Sequence, residues 1–251
     1  MLRNIQLLIV LIFMMGLMSC SKNVIESKAT QATIAVRLGT NATQLSKAST
    51  PSFSFTDLGG TTFTITEARI NVRHIQFDYP EGNSDNFNQI SLNGPFLIDL
   101  ITGTSNPEIG AFDVEPGIYK RIDVRLDDAE ADDGLVSGND DLLDNTLVVK
   151  GSFDYDGNTN RNFTFILKFN EDIRFEEPGG ISINEGETKD IILNLKVDEW
   201  LSNINITECL DDGDIVLEGS GDLIINDNNN NDCNNFEGTI KANIKNNYDF
   251  D

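Results

Sequence analysis

Along most of this chain apolar residues recur at every second position, the spacing of strands with one buried face. Ile34, Val36 and Leu38 alternate with Ala35 and Arg37 before a Ser/Thr-rich loop at 40–52. Residues 62–77, TFTITEARINVRHIQF, form a long β run whose apolar phase passes from Phe63–Ile65 to Ala68–Ile70–Val72 and then to Ile75–Phe77. A one-residue slip turns every later side chain to the other face, so two slips in one run predict β-bulges near Thr66–Glu67 and Arg73–His74. After a polar loop at 80–89, PFLIDLITG (95–103) reads as a short apolar strand ended by Gly103.

In PGIYKRIDVRLDD (116–128), Ile118, Ile122, Val124 and Leu126 share one face, while Tyr119, Arg121, Asp123 and Arg125 share the other. Asp156-Gly157 separates SFDY from FTFILKF, where Phe163, Phe165, Leu167 and Phe169 share a face, predicting a hairpin with a slightly long turn. Ile191, Leu193, Leu195 and Val197 repeat the two-residue period. Closely spaced strand signals without a long helical stripe predict a mainly β fold, an antiparallel β-sandwich of the immunoglobulin or transthyretin kind. The tail differs. Residues 211–235 are rich in Asp, Asn and Gly around one expected strand, Ile215 to Ile225, and Phe236, Ile240, Ile244 and Tyr248 recur every four residues, predicting a short C-terminal helix packed on the sandwich. The expected organisation is a leader at 1–19, a tether at 20–31, the sandwich at 32–206 and an Asp/Asn-rich extension at 207–251.

The strings ARINVRHIQF, PFLIDLITG, EPGIYKRIDVRL, GSFDYDG with FTFILKF, and VDEWL, between residues 62 and 206, together resemble an uncharacterised domain-of-unknown-function family of lipid-anchored bacterial proteins. The resemblance covers most of the chain after the leader and rests on structural motifs. It implies a sandwich fold on a lipoprotein and carries over no catalytic residue.

The N-terminus supplies the compartment expected for this protein. Arg3 precedes an apolar run from Ile5 to Leu17 that is too short to span a bilayer comfortably and suits a signal peptide. Leu17-Met18-Ser19-Cys20 then fits a lipobox, with Cys20 as the acylated first residue of the mature chain. An uncleaved membrane anchor with Cys20 as a bystander is the competing reading. Two or more acyl chains hold a protein stably where one holds it marginally. Ser21, rather than Asp, after the cysteine favours the outer membrane; whether the domain faces the periplasm or the outside stays open. Removing residues 1–19, whose one charged side chain is Arg3, moves the formal net charge from −23 to −24. Such a charge repels nucleic acid, which needs Lys and Arg clusters.

With Cys20 lipidated, Cys209 and Cys233 remain as an even pair, suited to a disulfide in an oxidising compartment, with two free thiols as the alternative. His74 is the one histidine and reads as a core or surface residue rather than a base, and imidazole and thiolate ligands for zinc or haem are lacking. No nucleophile elbow or phosphate loop is present, so an enzyme is not expected.

Calcium suits the abundant oxygen ligands best. The leading candidate is Asp154, Asp156, Asn158 and Asn160, which alternate through a turn loosely like the start of an EF-hand loop. Two other clusters compete: Asp127, Asp128, Asp132, Asp133, Asp140 and Asp141 in one long loop, and Asp227 to Asp232 in the tail. Asp-Gly and Asn-rich strings are also turn formers, and that reading stands beside the metal. For a sugar platform the chain offers Trp200, read as a core plug, and Tyr79, Tyr119 and Tyr155 as candidates to line loops at one pole.

These observations point to a non-enzymatic outer-membrane lipoprotein that binds or adheres, attached to the membrane through its lipid, with an envelope protein or a glycan as partner. The alternative is a structural or assembly subunit of fimbrillin type.

Overall fold

The two-residue alternation is realised as strands. The computed structural model describes residues 31–39, 53–78, 90–246 and 248–250; Cys20, the leader and Tyr79 lie outside these. In chain order the described residues form β1 (Ala32–Gly39), β2 (Phe53–Thr56), β3 (Thr62–Phe77), β4 (Ile90–Asp99), β5 (Thr104–Asn106), β6 (Ala111–Val114) and β7 (Gly117–Leu126). There follow β8 (Leu147–Tyr155), β9 (Asn158–Leu167), β10 (Glu171–Ile183), β11 (Thr188–Leu195), α1 (Val197–Ser202), α2 (Ile206–Asp211), β12 (Leu223–Ile225), α3 (Phe236–Ile244) and β13 (Tyr248–Phe250). The fold is mainly β, with two sheets that do not close into a barrel and a short C-terminal helix.

The larger sheet runs β10-β7-β3-β8-β9-β12, with β2 and β4 also on β3 and β5 on β4. The smaller runs β13-β11-β1-β6. Pairing is antiparallel except at β1 with β11 and β9 with β12, which are parallel. Ile34, Val36 and Leu38 of β1 and Ile191, Leu193 and Leu195 of β11 join the inward residues of the large sheet in one buried cluster. Each apolar side chain enclosed this way contributes roughly 1.5–3 kcal/mol of transfer free energy.

β3 is the organising strand because its residues serve several neighbours in turn. β4 pairs along Arg69–Phe77 on one side. On the other side β8 takes Phe63–Ile70 and β7 takes Val72–Phe77, so the sheet forks at Asn71. The register breaks between Ile65 and Glu67 and between Val72 and His74, where the phase slips in the sequence fall. Both slips keep the apolar residues on the core side of a strand long enough to twist away from it.

Gly151 of β8 marks a close crossing. A Cβ there would meet Thr64 O and the ring of Phe163 (2.7 Å). Around it the phenylalanines of four strands pack ring on ring: Phe63 stacks on Phe55 (4.8 Å) and Phe153 (4.9 Å), and Phe163 lies 4.7 Å from Phe165.

The connection between β8 and β9 is a two-residue turn, with Asp156 and Gly157 at φ 50° and 69°, tighter than the sequence suggests. Positive φ at both central positions is the type I′ hairpin requirement that Asp-Gly meets. Tyr119, expected on the outer face of β7, is instead 1% exposed, and its hydroxyl donates to Glu115 O at 2.7 Å. That reach back to the backbone four residues upstream pins the strand entrance, as a tyrosine corner does in Greek-key sandwiches. It is therefore not available to line a loop. Burial, with the nearby Glu115 charge, pushes its hydroxyl up to about 12.

The tail folds onto the same core. Of the expected strand 215–225 only Leu223–Ile225 forms, because Gly219-Ser220-Gly221 turns the chain just before it. α3 buries Phe236, Ile240 and Ile244 but stops at Ile244, and Tyr248 belongs to β13 rather than to the helix. The Phe236 ring meets Phe165 edge-on at 5.0 Å. Trp200 of α1 is fully buried, and its carbonyl accepts from Asn243 Nδ2 of α3 at 2.8 Å. Cys209 of α2 and Cys233 are joined by a disulfide with Cα atoms 5.4 Å apart, and both residues are buried.

Candidate functional site

Two polar regions adjoin one another, an acidic loop and a groove. The loop is the excursion from β7 to β8, residues 127–146. Because its two ends meet β3 only two residues apart, at Val72 and Ile70, its mouth closes on Asn71. The Asn71 backbone N–H donates to Thr146 O (2.9 Å), and its side-chain Nδ2 donates to the carbonyls of Asp127 (3.1 Å) and Asp128 (3.0 Å). Ala129 and Leu142 of the loop pack on Val148 of β8, a small apolar cluster outside the main core.

The carboxylates of this loop are engaged by cationic side chains of the sheet beneath. Arg73 donates to Asp133 Oδ1 (2.7 Å) and to the Asp128 carbonyl (2.7 Å), and lies 3.4 Å from Glu130. Arg69 bonds Asp140 at 2.9 Å, Lys150 bonds Asp141 at 2.7 Å, and Lys168 lies 3.1 Å from Asp128. A cluster that in sequence offers itself to calcium is thus largely met by arginine and lysine. The hydrogen bond from Arg69 holds the Asp140 carboxyl below its ordinary value, against the effect of burial. Burial is the largest single influence on Asp128 and opposes its ionisation, but the hydrogen bonds from Lys168, at Asp127 and from the backbone, with the Lys168 charge, together outweigh it and hold the carboxyl below its ordinary value.

The groove, of about 670 Å³, opens between the start of this loop, the end of β9 and the tail. Asp127, Asp128 and Lys168 line one wall, and Asp227, Asn230, Glu237 and Lys241 line the other. Asn230 is 4% exposed and its Nδ2 donates to Glu237 Oε2 at 2.9 Å. Burial pushes the Glu237 carboxyl above its ordinary value, and Asp227 adds to that while Lys241 opposes it. The far wall is fixed from behind by the disulfide, by Phe236 on Phe165, and by Lys241 and Lys245 on Glu171 (3.6 and 2.7 Å).

No protein-family model, no curated protein and no solved structure matches this chain.

The other sequence candidates fall elsewhere. Asp154, Asp156, Asn158 and Asn160 sit on the β8–β9 hairpin, where Asp154 Oδ1 accepts from Asn160 N (2.8 Å) and Asn158 Nδ2 donates to Asp156 O (3.0 Å). Asp154 Oδ1 and the Asp156 carbonyl thus serve the turn, and among the described residues no group of three or more His, Cys, Asp or Glu converges as metal ligands do. His74 is half-buried at the second register break, in a shallow polar hollow with Gln76, Asp123, Arg125, Asp172 and Arg174. Tyr155 reaches from the hairpin to Asp211 Oδ1 of α2 (2.8 Å), and that bond is the main reason its hydroxyl is pushed up to about 12. No helix of the described residues is long and apolar enough to cross a membrane.

Sequence reasoning did not bring Asn230, Glu237 and Lys168 together. Asn230 falls inside the Asp227–Asp232 string, but its partner Glu237 lies on α3, and Lys168, across the groove, lies just past the end of β9. Only the pairing of β12 with β9, parallel and 60 positions apart, places the tail beside Lys168.

Proposed function

We propose that the chain is a lipid-anchored envelope protein of the outer membrane whose folded domain binds a ligand without transforming it. The groove between the acidic loop and the tail is the ligand-facing site. The observation that carries this reading is the groove itself. Carboxylate, amide and ammonium groups line it on elements that a disulfide, an aromatic contact and ion pairs hold in place. Polar groups held rigid bind without first losing conformational freedom, which is the usual condition for a recognition surface. The lipobox ending at Cys20 and the bridged Cys209–Cys233 pair support the envelope setting.

The assembly-subunit alternative needs an open strand edge. Among the described strands, β10 at the edge of the large sheet carries Pro178 and a break in register from Glu176 to Ile181. β6 and β13 at the edges of the small sheet have four and three residues. Short edges and edge prolines discourage strand addition, so binding through the groove is the better-supported reading.

The test is metabolic labelling with a clickable fatty acid, fractionation, and photo-crosslinking from a groove position in intact cells. The reading expects label on the wild type, none on Cys20→Ala, recovery in the outer-membrane fraction, and an envelope protein or glycan crosslinked from position 231, where Asn231 lines the groove. An unlabelled full-length chain in the cytosol would refute it.

A further inference from the structure

The asparagines of the tail divide into two kinds. Asn226 and Asn229 close the turn after β12: Asn226 N donates to Asn229 Oδ1 (2.8 Å), Asn228 N to Asn226 Oδ1 (2.9 Å), and Asn229 Nδ2 to Ile224 O (2.8 Å). Asn230 takes no part in that turn through its side chain. It lines the groove, its amide nitrogen is spent on Glu237, and its Oδ1 is enclosed with no hydrogen-bond donor. A buried acceptor left without a partner is uncommon and unfavourable, and asks for a donor or a cation.

Charge points the same way. Four carboxylates line the groove, Asp127, Asp128, Asp227 and Glu237, against two ammonium groups, Lys168 and Lys241. Lys168 is committed to Asp128 at 3.1 Å, and Lys241 stands 3.6 Å from Glu171 and 4.0 Å from Glu237. Among the described residues no lysine or arginine pairs with Asp227. The carboxylates of the groove outnumber its ammonium groups, Lys168 acts on Asp227 only at longer range, and the Asn230 oxygen beside them has no donor.

We propose that this groove holds a calcium ion, with Asp227, Asn230 and Glu237 supplying protein oxygens and water completing the shell. The donor set is entirely oxygen, mixing carboxylate with amide, which selects a hard cation over zinc or copper. Two donors come from an irregular loop and one from the first turn of α3, an uneven arrangement that calcium accommodates with six to eight ligands and that the strict octahedron of magnesium does not. The inference deepens the reading of this groove as the binding site and rests on it. The ion would sit where a glycan or protein carboxylate could complete its coordination.

The experiment uses the full chain purified from membranes in detergent, stripped with chelator and titrated with calcium chloride by calorimetry, with magnesium chloride as a comparison. One saturable calcium site is expected, with a rise in melting temperature that chelator reverses. The double variant Asp227→Asn, Glu237→Gln is expected to weaken calcium affinity by at least about tenfold with an unchanged circular dichroism spectrum. The hairpin variant Asp154→Asn, Asp156→Asn is expected to bind as the wild type does. No saturable heat up to millimolar calcium, undiminished affinity in the groove variant, or loss of binding in the hairpin variant would each overturn the site. Should the double variant fail to fold, Asn230→Asp serves instead: it keeps the oxygen, adds a charge and should tighten calcium, and weaker or equal affinity counts against the proposal. Absence of calcium binding with crosslinking from position 231 retained removes the metal alone. Calcium binding without any crosslinked partner removes the macromolecular ligand alone.

Discussion

Arg73 offers the sharpest test of how the acidic loop is held. Its guanidinium reaches from β3 to Asp133 Oδ1 and to the Asp128 carbonyl, both at 2.7 Å. The two charged side chains are 21% and 10% exposed, so water screens the pair only in part. In Arg73→Ala the Asp133 carboxylate keeps the Glu130 backbone N–H (2.8 Å) and loses its counter-charge, while the Asp128 carbonyl keeps only the Asn71 amide. Breaking a fully buried ion pair from one side costs roughly 3–5 kcal/mol, and partial exposure brings the expectation to about 2–3 kcal/mol. For a domain of this size that lowers the melting temperature by roughly 4–12 °C. Arg73→Lys keeps the charge and loses the planar fork, and should fall between the two. The assay is calorimetric melting with a double-mutant cycle against Asp133→Ala, together with hydrogen exchange of amides 127–145. A coupling of about 1 kcal/mol or more and faster exchange confined to the loop are expected. A loss under about 0.5 kcal/mol with no coupling would mean that Ala129 and Leu142 on Val148 hold the loop, and that its ion pairs are incidental.

Four further outcomes follow from the same structure. Because Asp140 titrates below its ordinary value when bonded to Arg69, its contribution is present above the unfolded value of 3.8 and is lost as pH falls through the folded one; loop amides should therefore lose protection, relative to their intrinsic exchange rates, below about pH 4 in wild type, and Arg69→Met should abolish that dependence. Tyr119→Phe should cost about 1–2 kcal/mol by urea melting. In the wild type the Tyr119 contribution is full below pH 10.0 and disappears as pH rises through about 12, visible as a late phase in an ultraviolet titration. Replacing Cys209 and Cys233 together by Ser opens a loop with a sequence separation of 24 and should cost roughly 3.5 kcal/mol in the chain-entropy description; an unchanged melting temperature would contradict it. Gly151→Val should prevent accumulation of folded protein, since Thr64 O and the Phe163 ring occupy the space its side chain needs, whereas Gly138→Val, with open space around it, should express normally.

What was legible in the sequence is what strand periodicity encodes. The phase slips of residues 62–77 located both register breaks because a bulge leaves its trace as a displaced alternation, and Asp156-Gly157 located the hairpin because few residue pairs accept two positive φ values. The parallel pairing of β1 with β11 left no trace, since an alternating strand reads alike whichever way its neighbour runs. α1 and α2 escaped notice because six-residue helices are decided by what they bury, here Trp200 and Cys209, and not by propensity. β10 was hidden by Pro178-Gly179-Gly180, which reads as a turn and is a break within an edge strand. The fate of the loop carboxylates was equally opaque. Asp133 and Asp140 are chemically alike with Asp227, and only the fold says that two of them meet arginine while the third faces a groove.

The position of β1 has a mechanical corollary. It lies between β11, bonded along Thr33–Gly39, and β6, bonded along Ala32–Ala35. A border strand can be peeled away one bond at a time. Tension applied at the start of β1 enters an interior strand instead: over Thr33–Ala35 it meets a ladder on either side, and from Val36 to Gly39 the β11 ladder alone. A domain loaded there gives way less readily at its first residues than one loaded through a border strand of the same length.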